Sequence, residues 1–147
     1  MPEMTLLGWF HTILGILAVL SGFYTIYKYR VISFKKSSGK LYILVTLLVA
    51  GSALGIYNQG GFGVAHVLAV LTLIALAGGY IMERYKWFGS FSKYFQALGY
   101  TSTLLFHMIP AITDFLRRLP VGDTFIDSFE DPLLMNFHLA FLIIYLV

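Results

Sequence analysis

Five apolar stretches fill most of this chain, at residues 6–27, 41–57, 62–82, 94–115 and 133–147, and short polar or charged segments separate them. A bilayer core of about 30 Å is crossed by roughly 20 helical residues at 1.5 Å rise each. Stretches of this length leave few folds open, because backbone amides in hydrocarbon must be satisfied within their own segment. Composition agrees: 59% of the 147 residues are hydrophobic, only 12% are charged, and mean hydropathy is +0.81. That leaves too little polar surface to coat a soluble core of this size. The expectation is an all-α integral membrane helical bundle, a single transmembrane helical domain over residues 1–147 with five transmembrane helices. The fifth, at fifteen residues, is short or incomplete.

Charge placement orients the bundle. Eight basic residues (Lys28, Arg30, Lys35, Lys36, Lys40, Arg84, Lys86, Lys93) and one acid, Glu83, fall in the first and third loops. Two basic residues, Arg117 and Arg118, and six acids (Glu3, Asp114, Asp123, Asp127, Glu130, Asp131) fall on the other side. The balance is +7 against −4, which sums to the chain's +3. Loops rich in Lys and Arg stay cytoplasmic, so the 28–40 and 83–93 loops read as inside and the N-terminus as outside. Tyr24, Tyr27, Tyr29, Trp87 and Phe88 then form an aromatic belt at the inner interface, with Trp9 and Phe10 at the outer one. The segment before residue 6 has an acid and no basic residue, so the first span reads as retained rather than as a cleaved leader.

The net charge and pI near 9.2 would suggest a nucleic-acid ligand in a soluble protein, but here the cations set topology and the loop at 35–40 meets anionic lipid. The partners expected are the lipid bilayer and a homo-oligomer or larger membrane complex, with no nucleic acid. With no cysteine, thiolate metal sites, iron–sulfur clusters and covalently attached haem are excluded. No HExxH motif, nucleophile elbow or phosphate-binding glycine loop occurs, so the sequence leaves open whether the chain is an enzyme. Small residues mark expected packing faces: Gly8, Gly15 and Gly22 with Ala18 on the first span, and the pairs Ala65 with Ala69 and Ala75 with Gly79 on the third. Asn58-Gln59-Gly60-Gly61 reads as a tight turn joining antiparallel spans two and three.

Four histidines, His11, His66, His107 and His138, are the candidate functional residues. Counted from the expected outer ends of their spans, His11, His66 and His138 lie four or five residues in, while His107 lies eight in from Phe115, about 5 Å deeper. All four are expected in the outer leaflet. An ionisable residue within a span usually faces the bundle interior and serves a ligand, pathway or relay. His11 shares its face with Gly15, Ala18 and Gly22, and Thr103, His107, Pro110 and Asp114 form a polar stripe expected to face the same interior. Two imidazoles at matched depth among small residues suit haem b, with His11 and His66 as the axial pair and electron transfer as the function. His11, His66 and His138 with Asp114 or His107 would instead suit a non-haem metal such as zinc, copper or iron. The alternative is a cofactor-free membrane subunit or transporter-like protein with a His/Asp polar pathway, its histidines hydrogen-bonded between helices. Asp114 reads equally as an ion-pair partner of Arg117 or Arg118.

The segment HMIPAITDFLRRLP at 107–120, followed by an acidic loop and the EDP at 130–132, resembles the helix end of an uncharacterised family of small bacterial multi-span inner-membrane proteins, roughly HxxPAxTE and RLP. KKSSGKLY at 35–42 is similar to the basic start of a helix in related proteins. The two segments cover about a third of the chain, and the resemblance implies a bacterial inner-membrane location. Where the family pattern has Glu, this chain has Asp114, which keeps the charge and shortens the reach.

Overall fold

The computed structural model describes residues 4–57 and 60–147. Every described regular element is helical: α1 (Leu6–Tyr29), α2 (Ser37–Ala53), α3 (Val64–Tyr85), α4 (Ser92–Arg118) and α5 (Pro132–Leu146), with a 3-10 turn at Gly89–Phe91. Each of the five apolar stretches thus folds as a helix, and the all-α architecture holds. α1 and α3 are long and apolar enough to cross a membrane, whereas α2 and α5 are apolar but shorter. α2 begins four residues before its apolar stretch and ends four before that stretch does. Ser37 to Lys40 extend it at the polar end, and Leu54 and Gly55 leave it in a turn closed by Gly55 N–H to the Ser52 carbonyl. Hydropathy marks the part of a helix that hydrocarbon would contact, not the part the backbone can continue.

Helix ends follow side-chain chemistry. Thr5 caps α1 by accepting the Gly8 N–H at 3.1 Å, and Arg30 closes that helix in a left-handed conformation with its N–H on the Ile26 carbonyl. Asp131 caps α5 through the Leu133 N–H, with Pro132 at the first helical position, where no donor is lost.

The chain divides into two compact units, the first ending at Leu104 and the second spanning Leu105–Val147. In the first, α1 packs on α2 and α2 on α3 around Ala18, Ile32, Tyr42, Val49, Leu76 and Tyr100. Glycines permit two close approaches. A Cβ on Gly22 would lie 2.8 Å from the Tyr42 ring, and one on Gly99 would lie 2.9 Å from the Ala75 carbonyl oxygen, so α3 and the first half of α4 meet almost backbone to backbone. The expected Ala75 and Gly79 face is therefore a packing face. The expected glycine heptad of α1 is not: only Gly22 meets a neighbouring helix, since a Cβ on Gly15 would touch nothing and one on Gly8 only its own N-terminal turn. Ala65 is exposed while Ala69 is buried. Of the turn expected at 58–61, Asn58 and Gln59 lie outside the described residues; Gly60, at a φ of 80°, donates its N–H to the Tyr57 carbonyl.

The first unit exposes many large apolar side chains and buries several hydroxyls beside its apolar core. Leu6, Ile13, Ile16 and Leu20 of α1 are exposed, as are Val67, Leu71 and Ile74 of α3, while Thr25, Thr46, Thr72 and Thr103 are buried. The buried threonines and Ser21 satisfy themselves largely through bonds to carbonyls one turn back, such as Thr25 to Ser21 at 2.7 Å. The second unit has a smaller core of Leu116, Ile126 and Leu134, where the loop after α4 returns to pair Ile126 N–H with the Leu116 carbonyl.

Candidate functional site

The four histidines are set by different local chemistry. His11 faces α2, with Nδ1 at 3.1 Å from the Val49 carbonyl oxygen and 3.0 Å from Ser52 Oγ. A carbonyl only accepts, so Nδ1 carries the proton and Nε2 the lone pair. His66, buried at 4% exposure, occupies the third position of α3, and its Nδ1 accepts the N–H of the N-cap residue Gly63 at 3.1 Å. It takes the place that Glu or Gln holds in a capping box. Nδ1 therefore holds the lone pair, and Nε2 carries a proton with no hydrogen-bond partner. The ring lies against Tyr57 and Phe62, at centroid distances of 4.7 and 5.0 Å. His138 places Nε2 3.3 Å from Thr113 Oγ1, whose own proton goes to the Ile109 carbonyl, so His138 is also protonated on Nε2. His107 is buried on α4.

His11 and His66 belong to the first unit, and His107 and His138 to the second. Among the described residues, no three His, Asp or Glu side chains form a group that could hold a metal ion. Of the expected polar stripe on α4, Thr103 and His107 are buried, but Pro110 and Asp114 are exposed, which corrects the expectation that all four face an interior. Asp114 sits 3.7 Å from Arg118 Nε in an i,i+4 ion pair, while Arg117 lies over the Phe129 ring at 3.9 Å.

A polar side chain outside the expected site holds three hydrogen bonds. Glu83, near the end of α3, is only 9% exposed. One carboxylate oxygen accepts the Ser33 hydroxyl; the other accepts the Phe34 N–H and the Tyr100 hydroxyl, both at 3.0 Å. One acid thus ties α3 to the loop between α1 and α2 and to α4. Gln96 adds a bond from α4 to the Ile32 carbonyl at 3.2 Å. One turn along α4 from Tyr100, Thr103 donates to the Tyr100 carbonyl and so takes its bond from the Tyr42 hydroxyl at 2.6 Å, joining α2 to the same polar interior.

A signal for Glu83 was present. The buried residues of α3 are His66, Ala69, Thr72, Leu76, Gly79 and Glu83, a single stripe at spacings of three and four. Glu83 follows the packing glycine Gly79 by one turn on that stripe, which makes it inward-facing. Two clefts open beside it, one of about 270 Å³ touching Ser33, Lys35, Lys86 and Lys93, the other of about 460 Å³ touching Phe34, Tyr80 and Arg84.

No protein-family model, curated protein or solved structure matches the chain.

Proposed function

We propose that this chain is an integral membrane protein of a bacterial inner membrane, working as a cofactor-free membrane subunit or transporter-like protein whose polar chemistry centres on Glu83. The carrying observation is a buried carboxylate on α3, held by donors from the loop after α1 and from α4, inside a unit that exposes many aliphatic side chains and buries several hydroxyls beside its apolar core. An intramembrane or interfacial acid of this kind is costly to hold and marks a working site. In this reading all five helices cross the bilayer. The 28–40 and 83–93 loops lie on the cytoplasmic side with Glu83, and the polar pathway runs through Glu83, Tyr100, Thr103 and Tyr42 rather than through the histidines and Asp114.

The haem or metal reading is less well supported by the imidazoles themselves. A metal takes a lone pair. His11 has its lone pair on Nε2, with Nδ1–H oriented by the Val49 carbonyl. His66 spends its lone pair, at Nδ1, on the Gly63 N–H and would have to give up that bond to ligate, whereas His138 donates from Nε2 to Thr113 and has its lone pair at Nδ1. The test is to express the chain in a bacterium, wash its membranes at alkaline pH, and record the absorbance spectrum and metal content of the purified protein. We expect the chain to stay with the membranes and to show neither a Soret band nor stoichiometric metal. A Soret band lost in both His11→Ala and His66→Ala would replace this reading with the haem one.

A further inference from the structure

We propose that the cleft beside Glu83 binds the phosphate group of an anionic ligand, with a membrane lipid headgroup as its source. The lipid source rests on the membrane reading above; the phosphate chemistry does not. The cleft is cationic. Lys35, Lys86 and Lys93 line the cleft with one acid, Glu83, a net of +2. Glu83 spends its oxygens on a hydroxyl, an amide and a phenol, not on any of these cations. Among the described residues the one ion pair within 4 Å is Asp114 with Arg118, in the other unit, so no carboxylate pairs with the cleft lysines. The three lysines are exposed and, among the described residues, unpaired with any carboxylate, so an anion entering the cleft displaces only water from them.

The walls suit a phosphate. Ser90 brings a hydroxyl to the same cleft and Gln96 the second N–H of an amide whose other bond goes to Ile32, so neutral donors accompany the ammonium groups, while Ser33 has given its proton to Glu83. A volume of about 270 Å³ lies just below the usual range for drug-sized ligands, which fits a headgroup better than a nucleotide. The second cleft shares Lys35, Glu83 and Lys86 with the first and adds Arg84, but Phe34 and Tyr80, packed edge to face at 5.7 Å, give it an aromatic wall. A cationic cleft that continues along an aromatic wall matches a phosphodiester whose glycerol and acyl chain leave over the Phe34 and Tyr80 rings. The flanking sequence places the cleft at headgroup depth: Tyr85, Trp87, Phe88, Phe91 and Tyr94 are all exposed, the amphipathic rings that gather at a membrane interface.

The experiment uses the full chain in neutral detergent, stripped of lipid, then offered phosphatidylglycerol, phosphatidylcholine or inorganic phosphate, with binding read by native mass spectrometry. Phosphatidylglycerol should bind at one per chain and phosphatidylcholine at least tenfold more weakly. The triple variant Lys35→Gln, Lys86→Gln, Lys93→Gln should lose affinity on the order of 100-fold. The triple variant Lys28→Gln, Lys36→Gln, Lys40→Gln removes the same charge, all of it from the 28–40 loop and from residues that line neither cleft, and should stay within about threefold of the native protein. Lysine acetylation of the native protein is a readout that needs no variant: phosphatidylglycerol should protect Lys35, Lys86 and Lys93 and leave Lys28, Lys36 and Lys40 labelled. Protection by inorganic phosphate alone, with no preference for the lipid, would assign the same site to a free anion. Equal losses in the two triple variants, or no selective protection, would overturn the proposal. If the chain instead appears in the soluble fraction, the membrane reading fails, and the inorganic phosphate arm still decides the cleft.

Discussion

His66 and Glu83 stand at opposite ends of one buried stripe on α3, and the two ends solve the problem of a buried polar group differently. His66 is satisfied locally. Its Nδ1 caps its own helix through Gly63, its flat faces are covered by aromatic rings, and its Nε2–H has no partner. Glu83 is satisfied from a distance, by Ser33 and Phe34 some fifty positions earlier in the chain and by Tyr100 seventeen positions later. A local cap stabilises one helix end, whereas a carboxylate shared by three segments fixes how those segments meet. Removing the acid should therefore disturb the whole first unit, and removing the imidazole only the start of α3.

The largest effect is expected at the Glu83 end. Glu83→Leu leaves the Ser33 hydroxyl, the Phe34 amide and the Tyr100 hydroxyl without an acceptor. Bonds to a charged group contribute about 1.5–3 kcal/mol each, and losses within one network are not additive, so a total near 3 kcal/mol is expected. Thermal unfolding in detergent should show a midpoint lower by roughly 10 °C. Glu83→Gln keeps one carbonyl oxygen and should fall between the two. A Glu83→Leu protein as stable as the native one would mean that the three bonds do not hold the segments together.

That contrast also explains what the sequence could and could not say. The five helices were legible because each carries a long apolar run, and the Ala75 and Gly79 face because small residues one turn apart let Gly99 of α4 approach. The glycines of α1 misled because a heptad of small residues says nothing about whether a second helix lies over it; only Gly22 has Tyr42 there. Histidines drew attention because they are rare and sit inside apolar runs. Glu83 did not, since one acid beside Arg84 and Lys86 reads as a solvated charge until its place on the stripe after Leu76 and Gly79 is counted. Its partners Ser33 and Tyr100 come from elements whose contact no local pattern encodes.

A smaller effect, and a sharper test of the comparison, lies at His66. His66→Ala removes the acceptor for the Gly63 N–H and should cost about 1 kcal/mol, in the range of other N-terminal caps. His66→Gln should recover most of that, because a glutamine at the same position can reach back to the same amide. Recovery by glutamine, measured as the unfolding midpoint, identifies the imidazole as a cap. If glutamine is as damaging as alanine and also empties the protein of a chromophore or metal, the ring is a ligand and the local account of this end of α3 fails.

The smallest effect belongs to Asp114, the acid that sequence reasoning favoured over Glu83. Asp114 is about half exposed and its ion pair with Arg118 is long, at 3.7 Å, between two side chains on one helix face. Such pairs contribute about 0.3–0.5 kcal/mol at most, because water competes for both charges and ordering two flexible side chains costs entropy. Asp114→Asn should leave the unfolding midpoint within about 2 °C of the native value. The same change at low ionic strength should be slightly larger, since salt screens exposed charges. Measured side by side, Glu83→Gln and Asp114→Asn each remove one negative charge by an isosteric swap, so net charge cannot account for any difference between them. Equal shifts would mean that burial and the three donors add nothing to Glu83, and the case for that carboxylate as the working polar group would fall with them.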